Sequence, residues 1–213
     1  MLGEGLDFVV ESMRLSDVPA VLAIERVSFS SPWPARAYHY ELGRNDCSHY
    51  FVLRCRGGQP VQDYSPGKNG PLKLFACLWQ VLRRRTGGEI VGYGGFWTSG
   101  HRAHISTLAV APQWRRRGLG LLLVLHMLDC AVALGLRAAT LEVRVSNHAA
   151  QNLYQKCGFR PSGLQRGYYR DSGEDALLMS TPSLTRPACQ AHLARLREEL
   201  QERLRHRPAG GRC

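Results

Sequence analysis

The sequence predicts an α/β fold, a mixed sheet flanked by helices. Three observations predict it. Runs with strand character and runs at helical spacing follow one another in the order β-α-α-β-β-β-α-β-α-β-β, and such mixing favours a sheet with helices packed on it. Over 104–135 an apolar strand, a basic glycine turn and a long apolar helix come in direct succession. The 213 residues, 44% of them hydrophobic and without internal repeats, suit one domain with additions and a sizeable core.

Residues 8–14 read as the first strand. Ser16-Asp17 marks a helix start, and the helix over about 18–28 stops at Ser30-Ser31-Pro32-Trp33-Pro34, where the prolines break it. A second helix spans about 35–43, and His49 to Cys55 is a strand. Residues 56–71 are rich in Gly and Pro and form a loop. "LKLFACLWQVLRRR" (72–85) follows as a short helix whose Leu72, Phe75, Leu78, Trp79 and Leu82 share one face. Glu89 to Trp97 and 104–110 are strands. After Gly118-Leu119-Gly120, the residues Leu121, Leu122, Val124, Leu125, Leu128 and Val132 recur at helical spacing as far as Gly135, a C-terminal stop. "ATLEVRV" (139–145) alternates as a strand, 147–159 is a helix closed by Gly158, and strands at about 159–169 and 175–181 complete the sheet. From Thr185, the stripe Leu193, Leu196, Leu200 and Leu204 marks an amphipathic C-terminal helix. The expected organisation is a domain over 8–182 with an insertion at about 56–88, followed by a basic tail over 183–213. Both appendages read as attached to the domain, not built into it.

The net charge of +11 is unevenly placed. Residues 54–85 hold seven Lys/Arg against one Asp, and 186–212 hold seven Arg against three Glu, which leaves the remainder close to neutral. The basic character therefore belongs to the appendages. It points to ribosomal RNA or an anionic membrane surface as a contact; for the 72–85 helix, packing on its own domain is the alternative. No apolar run approaches the ~18 residues that span a bilayer, and the N-terminus lacks the pattern of a secretory signal. Seven scattered cysteines without a Cys-x-x-Cys pair fit a reduced cytoplasm better than a disulfide framework or a zinc site. No metal site is expected.

The turn "LAVAPQWRRRGLG" (108–120) carries the first chemical signal. A helix start exposes unpaired N–H groups and the positive end of the helix dipole, and glycines let the backbone approach a ligand closely. The arrangement suits an anion, most simply a phosphate. Two familiar phosphate loops fail: no Gly-Lys-Ser/Thr triplet follows, and Val124 stands inside the helix with no third glycine. From these residues alone, an ordinary turn with solvated arginines remains the alternative.

Three segments then act together. Arg115-x-x-Gly118-x-Gly120, "LEVRVSNHAAQNLYQKCGF" (141–159) and "GYYRDSGEDALLM" (167–179) resemble, in order, the motifs of the GNAT acetyltransferase superfamily. Within it they are similar to the RimI-type ribosomal-protein alanine acetyltransferases and to the archaeal and eukaryotic N-terminal acetyltransferases. The resemblance covers roughly 8–182. It implies a GNAT fold whose sheet splays between the fourth and fifth strands, 104–110 and 139–145, with acetyl-CoA as co-substrate.

It implies roles as well. The pyrophosphate would rest on the turn formed by Arg115, Arg116, Arg117, Gly118, Leu119 and Gly120, and the pantetheine arm beside Leu108, Ala109 and Val110. Asn147 would contact the cofactor, or serve only as a helix cap, or both. Tyr154 would protonate the leaving sulfur, against a plain core role, and an N–H near Val110 would face the oxyanion. The base stays open. RimI-type enzymes often carry Glu where this chain has Arg102 and Tyr where it has Trp114, so the candidates are His104 and Glu142, the latter orienting a water; either is alternatively structural. Trp33, Tyr168 and Tyr169 would flank the acceptor groove, with simple packing as the alternative.

The function implied is acetyl transfer to the N-terminal α-amine of a protein, a ribosomal protein with N-terminal alanine. An α-amine of pKa about 7.8 is roughly 10–20% neutral near pH 7, whereas a lysine of pKa about 10.4 is well below 0.1% neutral. A weak base therefore suffices for the first and not for the second. The alternatives are a small-molecule amine acetyltransferase and a catalytically weak acyl-CoA-binding or RNA-associated module.

Overall fold

Burial alternates along the strand at the centre of the molecule. Ala103, Ile105, Thr107 and Ala109 are buried, and His104, Ser106, Leu108 and Val110 between them are half-buried. That is the period of two expected where a sheet packs a core on one face and opens a cleft on the other. The computed structural model describes residues 7–56 and 88–205; the helix expected over 72–85 lies outside them. In chain order the elements are β1 (Phe8–Ser12), α1 (Val18–Ser28), α2 (Ala35–Arg44), β2 (Ser48–Cys55), β3 (Ile90–Ser99), β4 (Arg102–Val110), α3 (Leu119–Ala133), β5 (Ala138–Arg144), α4 (His148–Lys156), β6 (Arg160–Tyr169), β7 (Glu174–Ser180) and α5 (Pro187–Arg205).

One seven-stranded sheet runs β1-β2-β3-β4-β5-β7-β6. Every neighbouring pair is antiparallel except β4 and β5. A parallel pair needs a long crossover, and α3 supplies it. Strands β2 and β3 pair as a hairpin would, from Ser48 opposite Trp97 to Arg54 opposite Ile90, although residues 56–89 separate them.

α3 is apolar on nearly every side, and Leu119, Leu121–Leu125, Met127, Leu128 and Ala131 are all buried. A sheet covers only one side of a helix, so a helix of this composition needs a second cover. α5 provides it. Leu193, Leu196 and Leu200 are buried in the same core cluster, with Leu204 packed against it. Arg197 forms an ion pair with Asp129 on α3, and His192 Nε2 donates to the Lys156 carbonyl at the end of α4 (2.8 Å). The leucine stripe read from the sequence is real, but the tail that carries it is built into the domain. Its apolar face is spent on α3 and is not open to a membrane. No described helix is long and apolar enough to cross one.

Cys47, Cys130, Cys157 and Cys189 are free thiols. Cys55 is buried at the end of β2.

Leu196→Ala removes a buried side chain from the α5 stripe and leaves a cavity against α3. A stability loss of about 2–4 kcal/mol is expected in urea unfolding. A loss below about 1 kcal/mol would mean that α5 is only loosely laid on the domain.

Candidate active site

β4 and β5 pair at three positions only: Arg102 with Ala138, Ala103 with Ala139 and His104 with Thr140. Beyond them the strands part, while β4 stays paired to β3 as far as Val110 and β5 to β7 as far as Arg144. A bulge bends β4 near the point of separation. Thr107 pairs with Gly95 and Ile105 with Phe96, so Ser106 is the extra residue. Its hydroxyl donates to the Gly95 carbonyl (3.2 Å) and bonds the Tyr50 hydroxyl (2.9 Å). Leu108, Ala109 and Val110 lie on the open part of β4, where no described strand meets their outer edge.

The glycine turn follows. Gly118 is the N-cap of α3 with φ +86°, in the left-handed region, and no side chain caps the helix. The first intrahelical bond runs from the Leu122 N–H to the Gly118 carbonyl (3.0 Å), so N–H groups before Leu122 have no partner within the helix. Gly120 lets α4 approach closely, since a Cβ there would stand 3.2 Å from Leu153 Cδ2. The arginines are not equivalent. Arg115 donates to the Val110 carbonyl (2.9 Å) and the Ser28 hydroxyl (3.1 Å), and Arg117 lies over the Trp114 ring at 4.6 Å. Arg116 holds a left-handed φ of 61°. Asn147 caps α4, its Oδ1 accepting from the Ala150 N–H (3.1 Å), which leaves its side-chain NH₂ without a described partner.

At the closed end of the wedge, His104 and Glu142 meet. His104 Nε2 lies 3.1 Å from Glu142 Oε2, its Nδ1 lies 3.1 Å from Thr140 Oγ1, and its ring stacks on Trp97 at 5.0 Å. The register explains the trio: Thr140 is opposite His104, and Glu142 is two residues further along the same face. Trp97 also lines an open cavity of ≈ 580 Å³ with Trp33, Pro34, Arg36, Ala37, Tyr40 and Glu41. Trp33 is held from beneath. Its backbone N–H donates to buried Glu25 (2.9 Å), whose other oxygen accepts from the Tyr38 hydroxyl (2.9 Å). Burial raises the Glu25 pKa, against the lowering effect of those two bonds.

The tyrosines complete the cleft. Tyr168 and Tyr169 meet edge to face at 5.1 Å. Burial pushes Tyr169 up to about 12, against the lowering effect of Arg144, and Glu142 adds to the rise. Tyr154 projects from α4 and is buried. Its pKa is raised, first by burial and then by Cys157 and Tyr169, and no described group accepts from its hydroxyl. Arg144 ties the walls together. Its guanidinium lies 3.9 Å above the Tyr169 ring and pairs with Asp171 (2.7 Å) and Glu174 (3.2 Å). It also reaches Ser30 (3.2 Å), which itself bonds Asp171. The Arg144 and Ser30 bonds hold Asp171 down at about 2. The α1–α2 loop is thereby bolted to the β6–β7 turn.

Comparison with known proteins decides the family. A profile of the acetyltransferase (GNAT) family matches residues 70–159. The putative ribosomal protein bS18-alanine N-acetyltransferase of Bacillus subtilis is 34% identical over 170 residues, covering 80% of this chain and 92% of that protein. The chain belongs to the GNAT acetyltransferase family. As a GNAT protein it is an acetyl-CoA-dependent N-acetyltransferase. The N-alpha-acetyltransferase of Sulfurisphaera tokodaii is 30% identical over 192 residues, covering 84% of this chain and 95% of that protein. The crystal structure of the ribosomal-protein-S18-alanine N-acetyltransferase from Escherichia coli aligns with a TM-score of 0.62 at 26% identity, over 82% of this chain and 93% of that one.

Two features of this GNAT structure fit acetyl-CoA. The parted strands leave backbone groups that an amide-rich arm can satisfy, and the uncapped start of α3 suits a pyrophosphate. Four residues of the cleft escaped the sequence reading: Trp97, Thr140, Arg144 and Glu25. Arg144 stands inside the quoted 141–159 motif, and Thr140 shares the face of Glu142, so both left a trace. Trp97 and Glu25 required the tertiary packing.

Gly118→Ala would force alanine into a left-handed φ and set its Cβ 2.8 Å from Leu200 Cδ1. The expected cost is about 1–2 kcal/mol in chemical unfolding. A cost under about 0.5 kcal/mol would show that the turn relaxes freely.

Proposed function

We propose that the chain acetylates the N-terminal α-amine of a protein, and that its acceptor is a ribosomal protein beginning with alanine. The observation that carries the reading is the cavity between Trp33 and Trp97, which shares a wall with the His104–Glu142 pair. An open, partly aromatic hollow suits the end of an extended peptide. The likeness to enzymes named for the alanine of bS18 adds support.

In this reading acetyl-CoA supplies an activated thioester, and the chain's own groups do the rest. Leu108, Ala109 and Val110 offer backbone groups to its arm. The turn from Arg115 to Gly120 receives its phosphates, and the Asn147 amide donates to it. His104 and Glu142, a hydrogen-bonded pair, take a proton from the attacking amine directly or through a water. The amine nitrogen gains the acetyl carbon as the carbon–sulfur bond breaks. The Tyr154 hydroxyl gives its proton to the sulfur, and an N–H near Val110 donates to the carbonyl oxygen. Trp33 walls the acceptor, and the Tyr168 and Tyr169 hydroxyls bond its first residues. A weak base is enough because an α-amine is already partly neutral near pH 7.

Purified protein incubated with acetyl-CoA and an N-terminal alanine peptide of a ribosomal protein should place the acetyl group on the α-amine, as read by fragment mass spectrometry. Transfer only to an internal lysine, or only to spermidine, would overturn the acceptor assignment. Tyr154→Phe should lower kcat about ten-fold or more with little change in acetyl-CoA affinity. The raised Tyr154 pKa means that the protonated form persists as pH rises past the ordinary tyrosine value of about 10. The ratio of wild-type to Tyr154→Phe rates should therefore stay flat from pH 7 to 10. A ratio that collapses below pH 9 would remove Tyr154 as the acid.

A further inference from the structure

The turn that opens α3 has a neighbour that no GNAT motif of this chain includes. α5 starts beside Lys156, passes Asp129 on α3, and brings its last turn to Gly118. There a Cβ on Gly118 would stand 2.9 Å from Arg203 Nη2 and 3.5 Å from its Cζ. The guanidinium thus lies in contact with the N-cap of a fifteen-residue helix.

Such an arrangement is electrostatically unfavourable by itself. A helix start carries roughly half a positive charge, Arg116 stands two residues before Gly118, and Arg203 adds a full charge. Other arginines of α5 do pair: Arg197 with Asp129, and Arg195 with Glu199. Glu199, four residues before Arg203, faces Arg195 instead. Among the described residues no carboxylate pairs with Arg203. An anion between the helix start and the guanidinium reverses the sign of the interaction, and a planar fork of donors matches phosphate oxygens in a way that a lysine does not.

We infer that α5 forms a wall of the acetyl-CoA site and that Arg203 is a further ligand of the pyrophosphate. The inference rests on the assignment of the Gly118 turn to that group. It gives α5 two tasks: its leucines cover α3, and its last turn delivers a cation to the cofactor's phosphates. The buried Leu200, one helical turn before Arg203, fixes where that cation stands.

Calorimetry on the full chain tests it with three ligands: CoA, dephospho-CoA lacking the 3′-phosphate, and pantetheine lacking every phosphate. Arg203→Gln should weaken CoA and dephospho-CoA alike by about five-fold, a charged hydrogen bond discounted for exposure, and leave pantetheine unchanged. Arg203→Lys should fall between, and Arg195→Gln on the same helix should match wild type. Melting temperatures of all variants should coincide, since Arg203 is exposed. Arg203→Gln binding CoA within about 1.5-fold of wild type overturns the inference. A loss seen with CoA but not with dephospho-CoA overturns it too, by moving the contact to the 3′-phosphate. Wild type binding CoA no tighter than pantetheine would instead sink the assignment of the Gly118 turn itself.

Discussion

Three residue pairs join β4 to β5, and most of the site's geometry follows from how short that seam is. A longer ladder would satisfy the backbone groups of Leu108 to Val110 and leave no room for a cofactor arm. A shorter one would divide the sheet into two halves linked only through α3. The seam holds at the end where His104 faces Thr140, and the same register that closes the sheet brings Glu142 to the imidazole. The bulge at Ser106 bends β4 just beyond the seam, and Tyr50 bonds the bulge from β2, on the far side of β3. Structure and chemistry therefore meet at one place, because His104, the last residue of β4 paired to β5, is also a candidate proton-handling group.

Burial of α3 is the second constraint. A helix apolar on all sides cannot lie on the surface of a sheet with its back to water. Here α5 takes up the outer face, with three leucines in the common core. Fully burying each contributes roughly 1.5–3 kcal/mol, ample reason for the C-terminal segment to be a structural part of the domain. Position then becomes consequence: α5, laid over α3, brings its last turn to the Gly118 turn at the start of α3.

Much of this was legible from residues, for reasons that can be named. Helix ends carry local chemistry, so Asn147 as a cap and Gly135 as a stop could be read directly. Strand alternation in "ATLEVRV" and the spacing after Gly120 gave element types and order. What could not be read is what depends on register. The stack of Trp97 on His104 exists because β3 and β4 are antiparallel with one residue inserted, and no local pattern announces such an insertion. The tail is instructive in another way. Its stripe was visible, and so was the all-round apolarity of "LGLLLVLHMLDCAVA", yet the two had to be taken together to see that one requires the other. Of the candidate site, the meeting of His104 with Glu142 and the proximity of Tyr154 to Tyr169 emerge only when four separate segments are brought into one cleft.

Arg144 deserves to be considered as a shared hinge pin. It touches Tyr169 through its ring face, Asp171 and Glu174 through charge, and Ser30 across the cleft. The α1–α2 loop and the β6–β7 turn thus hang on one cation. Changes to the two segments are then energetically coupled, and coupled neighbours do not add. A substitution in the α1–α2 loop alters the setting in which one on the β6–β7 turn acts. A library that varies one of the two segments alone therefore samples only part of the range of arrangements that the fold allows.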